Sequence, residues 1–159
     1  MKSILTIISI LFIFNIENNQ DDEQDSLSFI NNVNKLEFTF VNNKCGEWGG
    51  DEKNIIIYRE DFKGELLADY TEKIKTCNSA QESKISTSKN KIKLTQSNNQ
   101  LIIEMINEVT RNKLNREDYP SHSGLFCEVL LSDSTIFIKD FPAKEWKSFN
   151  RFSDIIKKR

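Results

Sequence analysis

The stretch Lys35 to Val41 reads KLEFTFV, with Leu36, Phe38 and Phe40 on one side and Glu37 and Thr39 on the other. A period of two built from aromatic and β-branched residues describes a strand with one buried and one wet face, and it is incompatible with an amphipathic helix. A one-sided strand must pair on both edges and cover its apolar face, so this segment calls for a sheet with something packed on it. Asn54 to Glu60, NIIIYRE, supplies a second β-branched and aromatic run. EDFKG then turns, with Gly64 as its permissive residue. Glu65 to Lys75 resumes the alternation, with Leu66, Ala68, Tyr70 and Ile74 inward and Asp69, Thr71 and Lys73 outward. Short connections between such strands predict an antiparallel meander.

Further along, the polar tract NSAQESKISTSKN reads as a loop, followed by a short strand in KIKLT with Ile92 and Leu94 on one side. Ser97 to Asn99 offers capping residues ahead of QLIIEMINEVTRNKL, where Ile102, Met105, Ile106 and Val109 form one apolar stripe at helical spacing. LFCEVLL and TIFIKD, joined by the turn SDS, predict a hairpin. The end, PAKEWKSFNRFSDIIKKR, predicts a helix opened by Pro142, with Trp146, Phe149, Phe152, Ile155 and Ile156 on a broad face. The expected class is α+β: an antiparallel sheet of about five or six strands with two helices, in the order β-β-β-(β)-α-β-β-α.

The chain opens MKSILTIISILFIFN, where Lys2 precedes an uncharged apolar or small run from Ile4 to Phe14. That run matches the apolar region of a secretory signal and falls short of the roughly 20 residues of a spanning helix. Residues 1–16 are therefore expected to be a signal peptide, although no A-x-A-like triplet marks its cleavage. The polar, acidic residues 17–34 read as a spacer, and 35–159 as a single domain, with packing expected to begin near Leu27 or Leu36. The expected address is exported: periplasmic, cell-envelope or extracellular, with no membrane span in the mature protein. Seventeen asparagines without one N-x-Ser/Thr sequon, in a chain rich in Asn, Ile and Lys, point to a bacterial source.

Charge narrows the partners. The formal net charge is −2, from 22 basic and 24 acidic residues, and no basic stripe interleaves with aromatics. A nucleic-acid partner, which needs a concentrated positive face, is not expected. Lys157, Lys158 and Arg159 read instead as cations on the last turn of a helix.

Three cysteines in an exported chain imply one disulfide and one remaining thiol. In an up-down-up meander Cys45 and Cys77 lie at the same end, whereas Cys127 shares the core-facing side of its strand with Leu125, Val129 and Leu131. The expected bridge is Cys45–Cys77, with Cys127 buried and reduced. The span CGEWGGDE, residues 45–52, holds three of the five glycines and would let the chain fold across the sheet end. It is expected to be a structural corner first, with Trp48 capping the core. The competing expectation is a contact site: Trp48, Glu47, Asp51 and Glu52 on a disulfide-held loop, suited to a protein or envelope component, with the acids favouring a basic one.

No metal or cofactor is expected. The acids lack EF-hand spacing, the glycines lack a phosphate-loop pattern, and neither HExxH nor paired CxxC occurs. His122, the one histidine, lies in YPSHSG between Ser121 and Ser123 without a nucleophile elbow. Three readings of function result. The preferred one is an exported non-enzymatic binding protein. The alternatives are a small hydrolase using the His122 loop and an envelope immunity protein that neutralises a toxin. CGEWGG, IIIYRE and LLADYTEKIKTC, together with the short signal, resemble small uncharacterised secreted proteins of Gram-negative bacteria over residues 36–77. That resemblance implies no activity, ligand or catalytic residue.

Overall fold

The computed structural model describes residues 27–77, 82–117 and 121–159. The signal and most of the spacer expected from the sequence lie outside these residues. Eight main elements follow in chain order: β1 (Leu36–Asn42), β2 (Asp51–Tyr58), β3 (Leu67–Ile74), β4 (Lys84–Lys93), α1 (Gln96–Leu114), β5 (Leu125–Leu131), β6 (Phe137–Ala143) and α2 (Lys147–Lys157). The strands form one six-stranded sheet in the order β4-β3-β2-β1-β5-β6, antiparallel at every pairing. This is the expected α+β arrangement. The three-stranded meander is present, and the β5–β6 hairpin adds to the free edge of β1.

Register explains the core. Leu36, Phe38 and Phe40 of β1 stand opposite Ile57, Ile55 and Lys53 of β2, and opposite Leu131, Val129 and Cys127 of β5. Their shared face meets Ile102, Met105 and Val109 of α1 and Phe149, Phe152 and Ile156 of α2 in one buried cluster. Trp146 joins it, stacked on Phe149 at 4.9 Å and tilted against Phe38 at 5.9 Å. Packing starts before β1: Leu27 and Ile30 are buried, and the Arg59 guanidinium ties them down by donating to the Ile30 and Gly64 carbonyls. Among the described residues no helix covers the other sheet face. Two of its aromatic rings lie under lysine amines instead, Tyr58 under Lys35 and Phe126 under Lys139.

Four local expectations are corrected. The polar tract ahead of KIKLT is not wholly loop, because β4 extends back to Lys84 and pairs with β3 through two register shifts. As an edge strand it buries little, so its side chains carry no strong alternation. Lysines and bulges of this kind are how a sheet edge avoids further pairing. Ile74, expected inward, is exposed at the end of β3, beyond the reach of the helices. Pro142 does not open the last helix. It lies in the edge strand β6, where a residue without an N–H is tolerated, and α2 begins five residues later with Trp146 as its N-cap. Helix α1 starts at Gln96, ahead of the expected caps: Thr95 is the N-cap, and the Asn98 side chain accepts its amide at 2.8 Å.

Candidate functional site

Between β1 and β2 the chain crosses the end of the sheet in a short 3-10 turn, Gly46–Trp48. Its conformation demands glycine at three places. Gly46 and Gly49 have φ of 63° and 81°, in the left-handed region. Gly50 has no room for a side chain, since a Cβ there would lie 1.6 Å from the Asn42 carbonyl oxygen. Backbone bonds close the turn on itself: the Cys45 amide donates to Gly49 O at 3.0 Å and the Gly49 amide to Gly46 O at 3.1 Å. The Asn43 amide reaches the Gly124 carbonyl at 3.0 Å, fastening the turn to the segment that leads into β5.

The Cys45–Cys77 disulfide fixes the opposite side, with its Cα atoms 5.1 Å apart and a sequence separation of 32. The pairing is the one expected from the meander, and the crossing chain provides the closeness that strand spacing alone does not. Cys127 is reduced and buried. Burial pushes its thiol pKa far upward, and the negative charges of Asp140 and Glu108 add to the effect, so the nucleophilic thiolate is disfavoured.

The four candidate contact residues have different fates. Trp48 is 80% exposed, which overturns the expectation that it caps the core; Trp146 fills that place. Glu47 is exposed beside it and forms no ion pair among the described residues. Asp51 and Glu52 are not loop residues. They begin β2, and as strand neighbours they point to opposite sheet faces, so they do not converge on a common ion. Asp51 receives the Lys44 ammonium and the Lys75 amide at 2.8 and 2.9 Å. Burial raises its pKa, but these donors and the nearby lysine charges outweigh burial and hold the carboxyl below its ordinary 3.8. Glu52 pairs with Lys73 at 2.9 Å, directly across from it on β3. Neither Lys44 nor Lys73 is among the candidate contact residues of the sequence, where Lys73 figures only as an outward strand residue. The Glu52–Lys73 match is implicit in aligning the two alternating strands, whereas Lys44 meets Asp51 only because the turn folds back.

His122 is exposed in the loop before β5, five residues from the buried Cys127. The neighbouring Ser121 hydroxyl donates to the Ser123 carbonyl. The hollows among the described residues include two away from the Trp48 turn. A cleft of about 620 Å³ between α1 and α2 is bordered by the Glu104–Arg151 ion pair and by Glu108. A groove of about 450 Å³ at the far end of the sheet lies between the exposed side chains of Val33 and Phe62. Comparison with family models, curated proteins and solved structures finds no match to this chain.

Proposed function

We propose that the protein is an exported, non-enzymatic binding protein that engages a protein or another envelope component through the Trp48 turn. The exposure of Trp48 on a covalently fixed turn carries this reading. A large apolar ring costs little entropy to dock when its backbone is already held, and such rings supply much of the energy at protein interfaces. Export is supported by the disulfide, a bond that persists in oxidising compartments. Among the described residues no helix is long and apolar enough to cross a membrane.

A photo-crosslinking amino acid at position 48, compared with one at Asn32, tests the contact surface in envelope preparations of the source cell. The reading expects a discrete adduct from position 48 that an excess of unlabelled wild-type protein suppresses and an excess of Trp48→Ala does not. Adducts only from position 32, or equal suppression by both competitors, overturn it.

A further inference from the structure

Three aromatic rings among the described residues have a lysine ammonium on their face: Tyr58 with Lys35 at 5.1 Å, Phe126 with Lys139 at 5.2 Å, and Tyr70 with Lys157 at 5.5 Å. Tryptophan binds a cation more strongly than tyrosine or phenylalanine. Yet Trp48, the most exposed aromatic ring on the described surface, has no described lysine or arginine over it. The nearest basic residue in sequence, Lys44, is committed to Asp51.

The carboxylates show the same contrast. Asp51 and Glu52 are each neutralised by a lysine of the chain, while Glu47, adjacent to Trp48 on the same turn, is exposed and unpaired among the described residues. The turn therefore presents a ring suited to cations and a free carboxylate, held together by the disulfide and the Cys45–Gly49 bond. A neutral apolar partner would leave Glu47 desolvated and unsatisfied, and an acidic one would be repelled. A lysine or arginine carries the chemistry each group calls for, a cation for the ring and a positively charged N–H donor for the carboxylate.

We infer that the Trp48–Glu47 pair is a recognition site for a lysine or arginine side chain displayed by a protein partner. The inference rests on the contact surface proposed above and adds the chemistry of what it grips.

The probe is the peptide acetyl-Gly-Arg-Gly-Lys-Gly-amide, set against an analogue in which citrulline and norleucine replace the two cations. Binding is read from the Trp48 indole N–H signal in the nuclear magnetic resonance spectrum of the intact disulfide-bonded protein. The expected result is saturable movement of that signal with at least about threefold tighter binding of the cationic peptide, as an exposed cation–π contact reinforced by an ion pair implies. Glu47→Gln should remove part of the preference and added salt should reduce it. Trp48→Ala, read from the backbone amide of Gly49, should abolish it. Equal affinity for the two peptides at Trp48 overturns the cation specificity and leaves the contact surface standing. No movement with either peptide counts against both.

Discussion

Glu108 of α1 closes the N-terminus of α2, accepting the Ser148 amide at 2.8 Å and the Lys147 amide at 3.0 Å, together with the Ser148 hydroxyl. Trp146, the N-cap residue of α2, forms no side-chain cap of its own. Its indole N–H donates instead to the Met105 carbonyl of α1 at 3.0 Å. The helix that covers much of the core thus receives its cap from another helix, and a carboxylate at that position also complements the helix dipole.

This arrangement makes stability pH-dependent at Glu108. Burial raises its pKa, but the hydrogen bonds from Ser148 and Lys147 outweigh burial and hold it below its ordinary 4.5. A carboxyl with a lowered folded pKa stabilises fully above its unfolded pKa and loses that contribution as pH falls through the folded one. Glu108→Ala should cost about 1 to 2 kcal/mol at pH 7, the usual range for a lost cap. The gap to wild type should shrink below about pH 4.5. Urea melts of both proteins at pH 7 and pH 3 check the sign; a gap that widens in acid contradicts it.

The two tryptophans should separate in one pair of substitutions. Trp48→Ala removes an exposed ring and should change stability by roughly 0.5 kcal/mol or less. Trp146→Ala empties a site that is 1% exposed and loses the bond to Met105, so it should cost about 3 to 5 kcal/mol. In a Trp146→Phe protein the remaining Trp48 fluorescence should be readily quenched by iodide or acrylamide.

Reduction of Cys45–Cys77 should lower stability by roughly 3 to 4 kcal/mol, the loop-closure entropy returned to the unfolded chain by a loop of this size. Cys127 should stay unreactive to thiol reagents in the native protein and react only on unfolding. Its burial and raised pKa both suppress the thiolate. Counting accessible thiols with and without denaturant measures this, and rapid native labelling of Cys127 would contradict the placement of β5.

Glycine at 50 is required sterically, whereas Gly64 is not. Gly50→Ala forces a methyl group into the Asn42 carbonyl and should destabilise by about 2 kcal/mol or more. At Gly64 the closest atom to an added Cβ is 3.6 Å away, an ordinary contact, and Gly64→Ala should be nearly neutral. Thermal melts of the two variants give the comparison.

Exposure of His122 makes His122→Ala a surface change worth roughly 0.5 kcal/mol or less. Crosslinking through position 48 should be unaffected by it. A loss of adduct with folding intact would return attention to the His122 loop.

Local pattern determined much of this protein. Leu36, Phe38 and Phe40 declare their strand because a pleated backbone sends alternate side chains to opposite faces. The stripe Ile102, Met105 and Val109 declares its helix for the corresponding reason at helical period. The Cys45–Cys77 pairing was legible because an up-down-up meander brings both residues to one end. Pattern failed where burial, not chain geometry, controls composition. Strand β4 lies at an edge, and Lys84 to Asn90 has no fully buried side chain to impose apolar alternation. Nor does local sequence decide which tryptophan is inside, because a ring is buried only if distant segments deliver walls for it. Trp146 lands between Phe38, Phe149 and the Met105 carbonyl, contributed by β1, α2 and α1. Trp48 rides a glycine turn to which the described residues deliver no burying wall, and it stays 80% exposed. The acids divide in the same way: register places Lys73 against Glu52 and chain reversal places Lys44 against Asp51, while Glu47 is left to solvent.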